Sequence, residues 1–338
     1  VHIPPDVFWP TAFFGLAYPF SLIINFIFLL LWLFRWKRIV FLPLIVILAG
    51  FQQAINTFPK FRSGEQNVVN PSGEILKVMS YNVRAFNIYE WLNDPNTNKG
   101  IFNFIRSEHP DIICLQEFYT HEKSGFTAGR YKQLFGETPY HHIEYSFKST
   151  KNTGFGIATF SKYPILNRGV IPFENSANLA IYTDILFHDD TIRIINLHLQ
   201  SVNLKSNNYA FLDSLKIRYD DQQLKEFQDL SVKLKAAYVK RAEQAAKVSR
   251  IAGNSPHPVI LCGDLNDTPV SYAYRKTRGK LRDAWVEAGS GLGNTYLGRF
   301  SFRIDYIFYD ESLKAMEFER VKTRLSDHYP VMAKLLVP

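Results

Sequence analysis

The chain has 338 residues, 46% of them hydrophobic, enough apolar material for a sizeable core, which excludes disorder as the default state. Its formal charge of +8 favours polyanionic partners, whether nucleic acid, anionic headgroups or a phosphorylated small molecule, without choosing among them. Its two cysteines, Cys114 and Cys262, sit in apolar runs without metal-type or redox-type spacing; they read as buried thiols, with pairing left open.

The chain starts at Val1 rather than at a methionine, which reads as a processed or truncated start. From Val7 to Phe34 no residue is charged, and a spanning helix needs only ~20 apolar residues. A second charge-free run, Ile39 to Phe58, follows the basic tetrad Arg35-Trp36-Lys37-Arg38, and Pro43 falls early enough for a first helical turn. Residues 1–58 are therefore expected to form a membrane anchor of two transmembrane helices. A secretory signal would have a shorter apolar region and no second span. Short cytoplasmic loops are enriched in Lys and Arg, so the tetrad is expected inside and the rest of the chain on the non-cytoplasmic side, periplasmic or extracellular. Lys60 and Arg62 beyond the second run reduce that contrast. Trp9, Trp32 and Trp36 lie near the ends of the first run, as interfacial aromatic anchors do.

Residues 59–75 are polar, carry Pro and Gly, and read as a linker; a folded domain over 76–338 follows. Strand-like runs recur at Leu76–Val83, Asp111–Gln116, Phe155–Phe160, Ile181–Phe187, Thr191–Leu197, Val259–Cys262, Arg303–Tyr309 and Val331–Val337, with a tight turn expected at Asp189-Asp190. Leu234, Ala237, Tyr238, Ala242, Ala245, Val248 and Ala252 form one apolar stripe ending at Gly253, the mark of an amphipathic helix. Ser206–Asp229 reads as an insertion with helical content. Hairpin-like neighbours mixed with helical crossovers predict a layered α/β sandwich with two mixed β-sheets flanked by helices.

Five islands put polar groups at the ends of apolar strands: Ser80-Tyr-Asn82, Leu115-Gln-Glu117, Asn196-Leu-His-Leu-Gln200, Gly263-Asp-Leu-Asn266, and Ser326-Asp-His328 preceded by Arg303-Ile-Asp305. A hard divalent cation such as Mg²⁺ prefers carboxylate and amide oxygens, the ligand types of Asn82, Glu117 and Asp327, whereas zinc would prefer more His and Cys. Asp264 and Asn266 alternate on one expected extended segment and so would share a face. Taken alone, Gly-Asp-Leu-Asn also suits a turn capped by its own Asp. Asp305 is a carboxylate that could orient His328 and raise its basicity.

In this order the islands resemble the endonuclease/exonuclease/phosphatase superfamily over residues 76–338. The resemblance implies Glu117 as principal metal ligand beside Asn82, with Asp327 completing the site for Mg²⁺ or Mn²⁺. It implies Asp264 positioning or deprotonating the attacking water, Asn266 holding the phosphate, and His328, paired with Asp305, stabilising charge on the phosphoryl oxygens. His198, in Asn196-Leu-His-Leu-Gln-Ser201, is similar to the histidine strand of neutral sphingomyelinases, inositol polyphosphate 5-phosphatases and pancreatic-type deoxyribonucleases, and the abasic-site nucleases lack it. It would contact the scissile phosphate or protonate the leaving oxygen. Gly154–Pro164 resembles the family's central strand and turn, read as scaffold. A metal-dependent phosphoric ester hydrolase follows, with a membrane phospho- or sphingolipid expected as partner and substrate ahead of nucleic acid, because residues 59–75 reach only ~60 Å when extended. A tethered or exported nuclease and a phosphomonoesterase share the same chemistry, and a silent membrane scaffold is opposed by the intact islands.

Overall fold

The computed structural model describes residues 2–58, 73–122, 126–149, 153–202, 221–291, 293–298 and 301–338. The expected linker lies mostly outside these residues, although its last two, Glu74 and Ile75, begin the first strand. Most of the 206–229 segment also lies outside; its last part belongs to a helix.

The N-terminal segment holds four helices, α1 (Pro5–Phe8), α2 (Pro10–Phe34), α3 (Phe41–Ala49) and α4 (Phe51–Thr57). Among the described residues only α2 is by itself long and apolar enough to cross a membrane, and none of its residues is buried. The second expected span is not one straight helix: Arg38–Ala49 and Phe51–Thr57 are bent by 55° at Gly50. Glycine weakens the helix there, and the residues beyond it include Gln52, Gln53 and Asn56, whose amides a hydrocarbon layer disfavours. The Tyr18 hydroxyl donates to the Gly50 carbonyl (2.6 Å), tying α2 to the bend.

Among the described residues twelve strands follow: β1 (Glu74–Asn82), β2 (Ile112–His121), β3 (Tyr140–Lys148), β4 (Thr153–Ser161), β5 (Ile165–Pro172), β6 (Leu179–Phe187), β7 (Asp190–His198), β8 (Val259–Asp264), β9 (Arg282–Asp283), β10 (Asp305–Tyr309), β11 (Lys314–Arg320) and β12 (Val331–Val337). They form two six-stranded mixed sheets, ordered β11-β12-β1-β2-β4-β3 and β5-β6-β7-β8-β10-β9. Each has one parallel pair near its centre, β1 with β2 and β7 with β8. Helices α5 (Thr97–Ser107), α6 (Ala128–Leu134), α7 (Asp221–Gly253), α8 (Tyr272–Arg278) and α9 (Ala284–Ala288) complete the domain, with α5 and α7 as the two parallel crossovers. The turn expected at Asp189-Asp190 is formed by His188 and Asp189, because Asp190 already pairs with Phe187.

Period-two alternation explains the layers. Leu76, Val78, Ile112 and Cys114 of one sheet meet Ile192, Ile194, Ile260, Cys262 and Ile307 of the other in a core between the sheets. Their neighbours face outward: Met79, Tyr81 and Ile113 pack on Ile101, Phe102 and Ile105 of α5, while Ile195 and Leu261 pack on Ala245 and Val248 of α7. Both cysteines are free and buried in the central layer.

The N-terminal helices sit directly on this domain. Phe13 meets Tyr238 of α7 edge to face (6.0 Å), Lys235 lies 5.9 Å over the Trp9 ring, and a Cβ at Gly15 would lie 3.6 Å from Val270. At the other end of the segment, Arg303 Nη2 donates to the Asn56 carbonyl (2.8 Å) while Nη1 grips Asp283 (2.8 and 3.0 Å) and the guanidinium covers Trp285 (4.3 Å).

Candidate active site

The alternation that builds the inter-sheet core turns polar at one end of the sandwich. Inward positions run Val78, Ser80, Asn82 on β1; Cys114, Gln116 on β2; Ile194, Asn196, His198 on β7; and Cys262, Asp264 on β8. β10 runs antiparallel to β8 and starts at Asp305, opposite Asp264. The ends of β1, β7, β8 and β10 thus converge with Asn82, His198, Asp264 and Asp305, while Asp327 and His328 come in on the segment between β11 and β12. Gly263, just before Asp264, has φ +144°, and a Cβ there would lie 2.0 Å from the Leu197 carbonyl oxygen, so only glycine lets β7 and β8 come this close.

Glu117 arrives differently. Gln116 already points inward, so strict alternation would turn Glu117 out to the α5 face. A β-bulge breaks the register between Leu115 and Phe118, and Glu117 takes φ +50°, which brings its carboxylate to the same cleft.

The groups are joined by hydrogen bonds and by close charge pairs of 4.0 Å or less. Asn82 Nδ2 donates to Glu117 Oε1 and to Asp264 Oδ2, both at 3.1 Å. His328 Nδ1 is 2.9 Å from Asp305 Oδ2, and its Nε2 is 3.7 Å from Asp264 Oδ2. His198 Nε2 approaches the same oxygen at 3.6 Å and Glu117 Oε1 at 4.0 Å. Asp264 Oδ2 is therefore the centre of the constellation. Asp327 sits at its rim, with Oδ2 3.3 Å from Arg84 Nη1, and Ser326 fixes this turn by donating to the Asn82 carbonyl (2.8 Å).

Asn266 corrects the expected shared face. β8 ends at Asp264, and Asn266 has φ +51° beyond it, so strand alternation does not apply. The Asn266 N–H instead donates to Asp264 Oδ1 (2.7 Å), the turn capped by its own Asp, and its side chain donates to the Leu199 carbonyl (3.0 Å). This turn locks one Asp264 oxygen and leaves the other facing the histidines.

Electrostatics separate the two imidazoles. Burial disfavours the His328 cation, but Asp305 and Asp264 outweigh it and push its pKa up to about 10. Burial pulls His198 down from its ordinary value, against Asp264, and the His328 charge adds to the fall. Burial and Asp305 push the Asp264 carboxyl up to about 6, against both histidines. Desolvation raises Glu117 above the usual carboxylate range; Asn82, His328 and Arg84 oppose this and Asp327 adds to it.

The donor set suits a hard divalent cation. Glu117, Asp264, Asp305 and Asp327 crowd one cleft against Arg84 and His328, and the Asn82 amide is hydrogen-bonded to both Glu117 and Asp264. His198 Nε2 and Asp305 Oδ1 are buried without a hydrogen-bond partner. Two ligand groups adjoin. Asp264, Asp305 and His328 have ligand atoms all within 4.8 Å, while the expected set keeps Asn82 against Glu117 and Asp327 against Arg84.

Two residues escaped the sequence reading. Arg84, two positions after Asn82, is a cation at the cleft mouth with its guanidinium 4.3 Å over the Trp91 ring. Its nearness to the Ser80–Asn82 island was the available signal. Gln116 Nε2 donates across the two sheets to Asn196 Oδ1 (2.8 Å) and within its own sheet to Ser80 Oγ (3.3 Å), forming a polar floor beneath the cleft.

The chain is 23% identical over 291 residues to a DNA-(apurinic or apyrimidinic site) endonuclease of Dictyostelium discoideum, covering 76% of this chain and 69% of that one. Its fold is similar to an endonuclease/exonuclease/phosphatase from Beutenbergia cavernae, with TM-score 0.58 and 16% identity over 78% of this chain and 72% of that one. The human Nocturnin catalytic domain with bound sulfate anion gives TM-score 0.56 and 18% identity over 77% of this chain and 94% of that one. Residues 1–58 match a domain of unknown function. Residues 79–328, with the whole constellation from Asn82 to His328, match the Endonuclease/Exonuclease/phosphatase family, and the chain belongs to that family as a metal-dependent phosphoric ester hydrolase.

Proposed function

We propose that the protein is a membrane-anchored phosphodiesterase, dependent on Mg²⁺ or Mn²⁺, that hydrolyses a membrane-borne phospho- or sphingolipid. The observation that carries the membrane-borne substrate is the seating of the N-terminal helices: Gly15 rests on Val270, four residues after Asn266, and Asn56 is bonded to Arg303, two residues before Asp305. The exposed flank of α2, with Phe20, Ile23, Phe26 and Phe34 among its residues, is apolar beyond what a water-facing surface carries. A bilayer taking up that flank holds the cleft beside concentrated headgroups.

Glu117, Asn82 and Asp327 are the residues proposed to hold the cation, which when bound supplies charge neutralisation at the phosphoryl oxygens. Asp264 Oδ2 orients the attacking water and accepts its proton, with Oδ1 held by the Asn266 N–H. His328, kept cationic by Asp305, donates to a phosphoryl oxygen. His198, kept neutral, contacts the scissile phosphate or serves the leaving oxygen from across Asp264. Asn266 spends one of its amide protons on Leu199 and has the second for a phosphate oxygen.

Reconstituted enzyme with Mg²⁺ is expected to release headgroup from at least one phospholipid or sphingolipid far faster than it nicks supercoiled plasmid at equal phosphodiester concentration. Efficient nicking with no lipid turned over would replace this reading by a tethered nuclease, the alternative favoured by the Dictyostelium relative. The Arg35–Arg38 tetrad supports a hydrolase domain on the non-cytoplasmic side, because short cytoplasmic loops are enriched in Lys and Arg. An impermeant thiol reagent should then label Ser72→Cys and spare Lys37→Cys in intact cells lacking an outer barrier; the reverse pattern puts the domain in the cytosol.

A further inference from the structure

A cavity of about 350 Å³ lies at the seam between α4 and the turn after α8, and none of its lining residues belongs to the catalytic constellation. Arg278, Lys280 and Arg282 line it from the domain, and Gln52, Ile55 and Asn56 line it from α4. We infer that this cavity binds the phosphate headgroup of an anionic phospholipid, a site distinct from the catalytic cleft. The inference rests on the membrane reading of the N-terminal helices.

Its charge is the first support. Helix α8 ends at Arg278 with Gly279 at φ +52° as its cap, and cations in a last turn complement the helix dipole. That accounts for Arg278 but not for Lys280 and Arg282, which lie beyond the helix and are exposed. Among the described residues none of the three forms an ion pair, and Arg278 Nε is buried without a hydrogen-bond partner. The wall holds two acids against three cations, and one of those acids, Asp283, is already committed to Arg303 and to the Tyr274 hydroxyl (2.8 Å each).

Depth is the second support. The Tyr18–Gly50 bond sets the bend level with Tyr18, two turns into α2 from Pro10. On the domain side of that level, α2 packs on α7 and Val270, and α4 carries its amides: Gln52 donates to Asn56 (3.2 Å), and the Asn56 carbonyl accepts from Arg303. A helix that turns by 55° and becomes polar where a tyrosine stands has left the hydrocarbon and runs at headgroup level. A cavity lined by three cations at that level is built for lipid phosphate, and exposed Phe51 and Phe58 at the two ends of α4 offer apolar surface for acyl chains.

The test uses the full chain in vesicles of phosphatidylcholine alone or doped with phosphatidylglycerol, read by thermal unfolding. Phosphatidylglycerol should raise Tm by roughly 5 °C, the scale for a ligand well above its Kd on a chain this long. The triple variant Arg278→Gln, Lys280→Gln, Arg282→Gln should lose the rise while still hydrolysing a soluble aryl phosphodiester, which certifies its fold. A charge-matched control at exposed Lys132, Lys148 and Lys314 should keep it. Glycerol phosphate added to phosphatidylcholine vesicles at the same phosphate concentration should give no rise. A rise that survives in the triple variant, vanishes equally in the control, or is reproduced by glycerol phosphate overturns the lipid site. Release of wild-type chain from vesicles by alkaline carbonate is a different failure, defeating the membrane reading and the site with it.

Discussion

Glu117→Gln is expected to fold normally and to lose at least ~10²-fold in turnover, the scale of removing one transition-state charge stabiliser. Gln keeps the shape of Glu and can still meet the Asn82 amide, so the bulge that carries position 117 has no reason to relax. What disappears is a carboxylate, the ligand type a hard cation needs most. Two measurements separate this from a general defect. Unfolding temperature in chelator should match wild type, and the rise that Mg²⁺ or Mn²⁺ gives wild type should shrink or vanish in the variant. Excess chelator should silence the wild type as well. Undiminished turnover in chelator would remove the cation from the mechanism altogether, since Arg84, the nearest fixed cation besides His328, would then be doing its work.

Replacing His328 or His198 by Ala should each lower kcat by roughly 10²–10⁴, the range of a lost general acid or base. The two losses have different physical origins and different side effects. His328 is the partner of buried Asp305, so removing it leaves a carboxylate uncompensated inside the protein and should also destabilise the fold. The double variant His328→Ala, Asp305→Asn is the control: it should recover stability and remain inactive. His198 makes no hydrogen bond through Nε2, so His198→Ala should be inactive yet close to wild type in stability. Full activity in His198→Ala beside a dead His328→Ala would reduce His198 to a structural residue and leave one imidazole to carry the reaction.

The sequence by itself determined the inner strands, the crossover helix α7 and the order of the polar islands. Every predicted strand is an interior strand of its sheet: β1, β2, β4, β6, β7, β8, β10 and β12. Those strands are covered on both sides, so their apolar runs are dense and easily read. The four strands that passed unread, β3, β5, β9 and β11, are the four sheet edges. Edges carry charge, glycine and proline that discourage further pairing, as in Ile165–Pro172 and Lys314–Arg320, and this dilutes the periodic signal. The tertiary structure alone decided which groups meet. Asn82, Asp264, Asp305 and His328 are far apart in the chain and converge because a parallel pair in each sheet ends at the same edge of one sandwich. Alternation aimed Glu117 away from the cleft; a bulge and a left-handed backbone turned it in, and no local composition encodes that choice. The second apolar run read as one span because hydropathy counts residues and not direction, whereas Gly50 and the contact of Asn56 with Arg303 bend it onto the domain. Local pattern fixes which face of each element is buried; which partner it is buried against is a property of the whole chain.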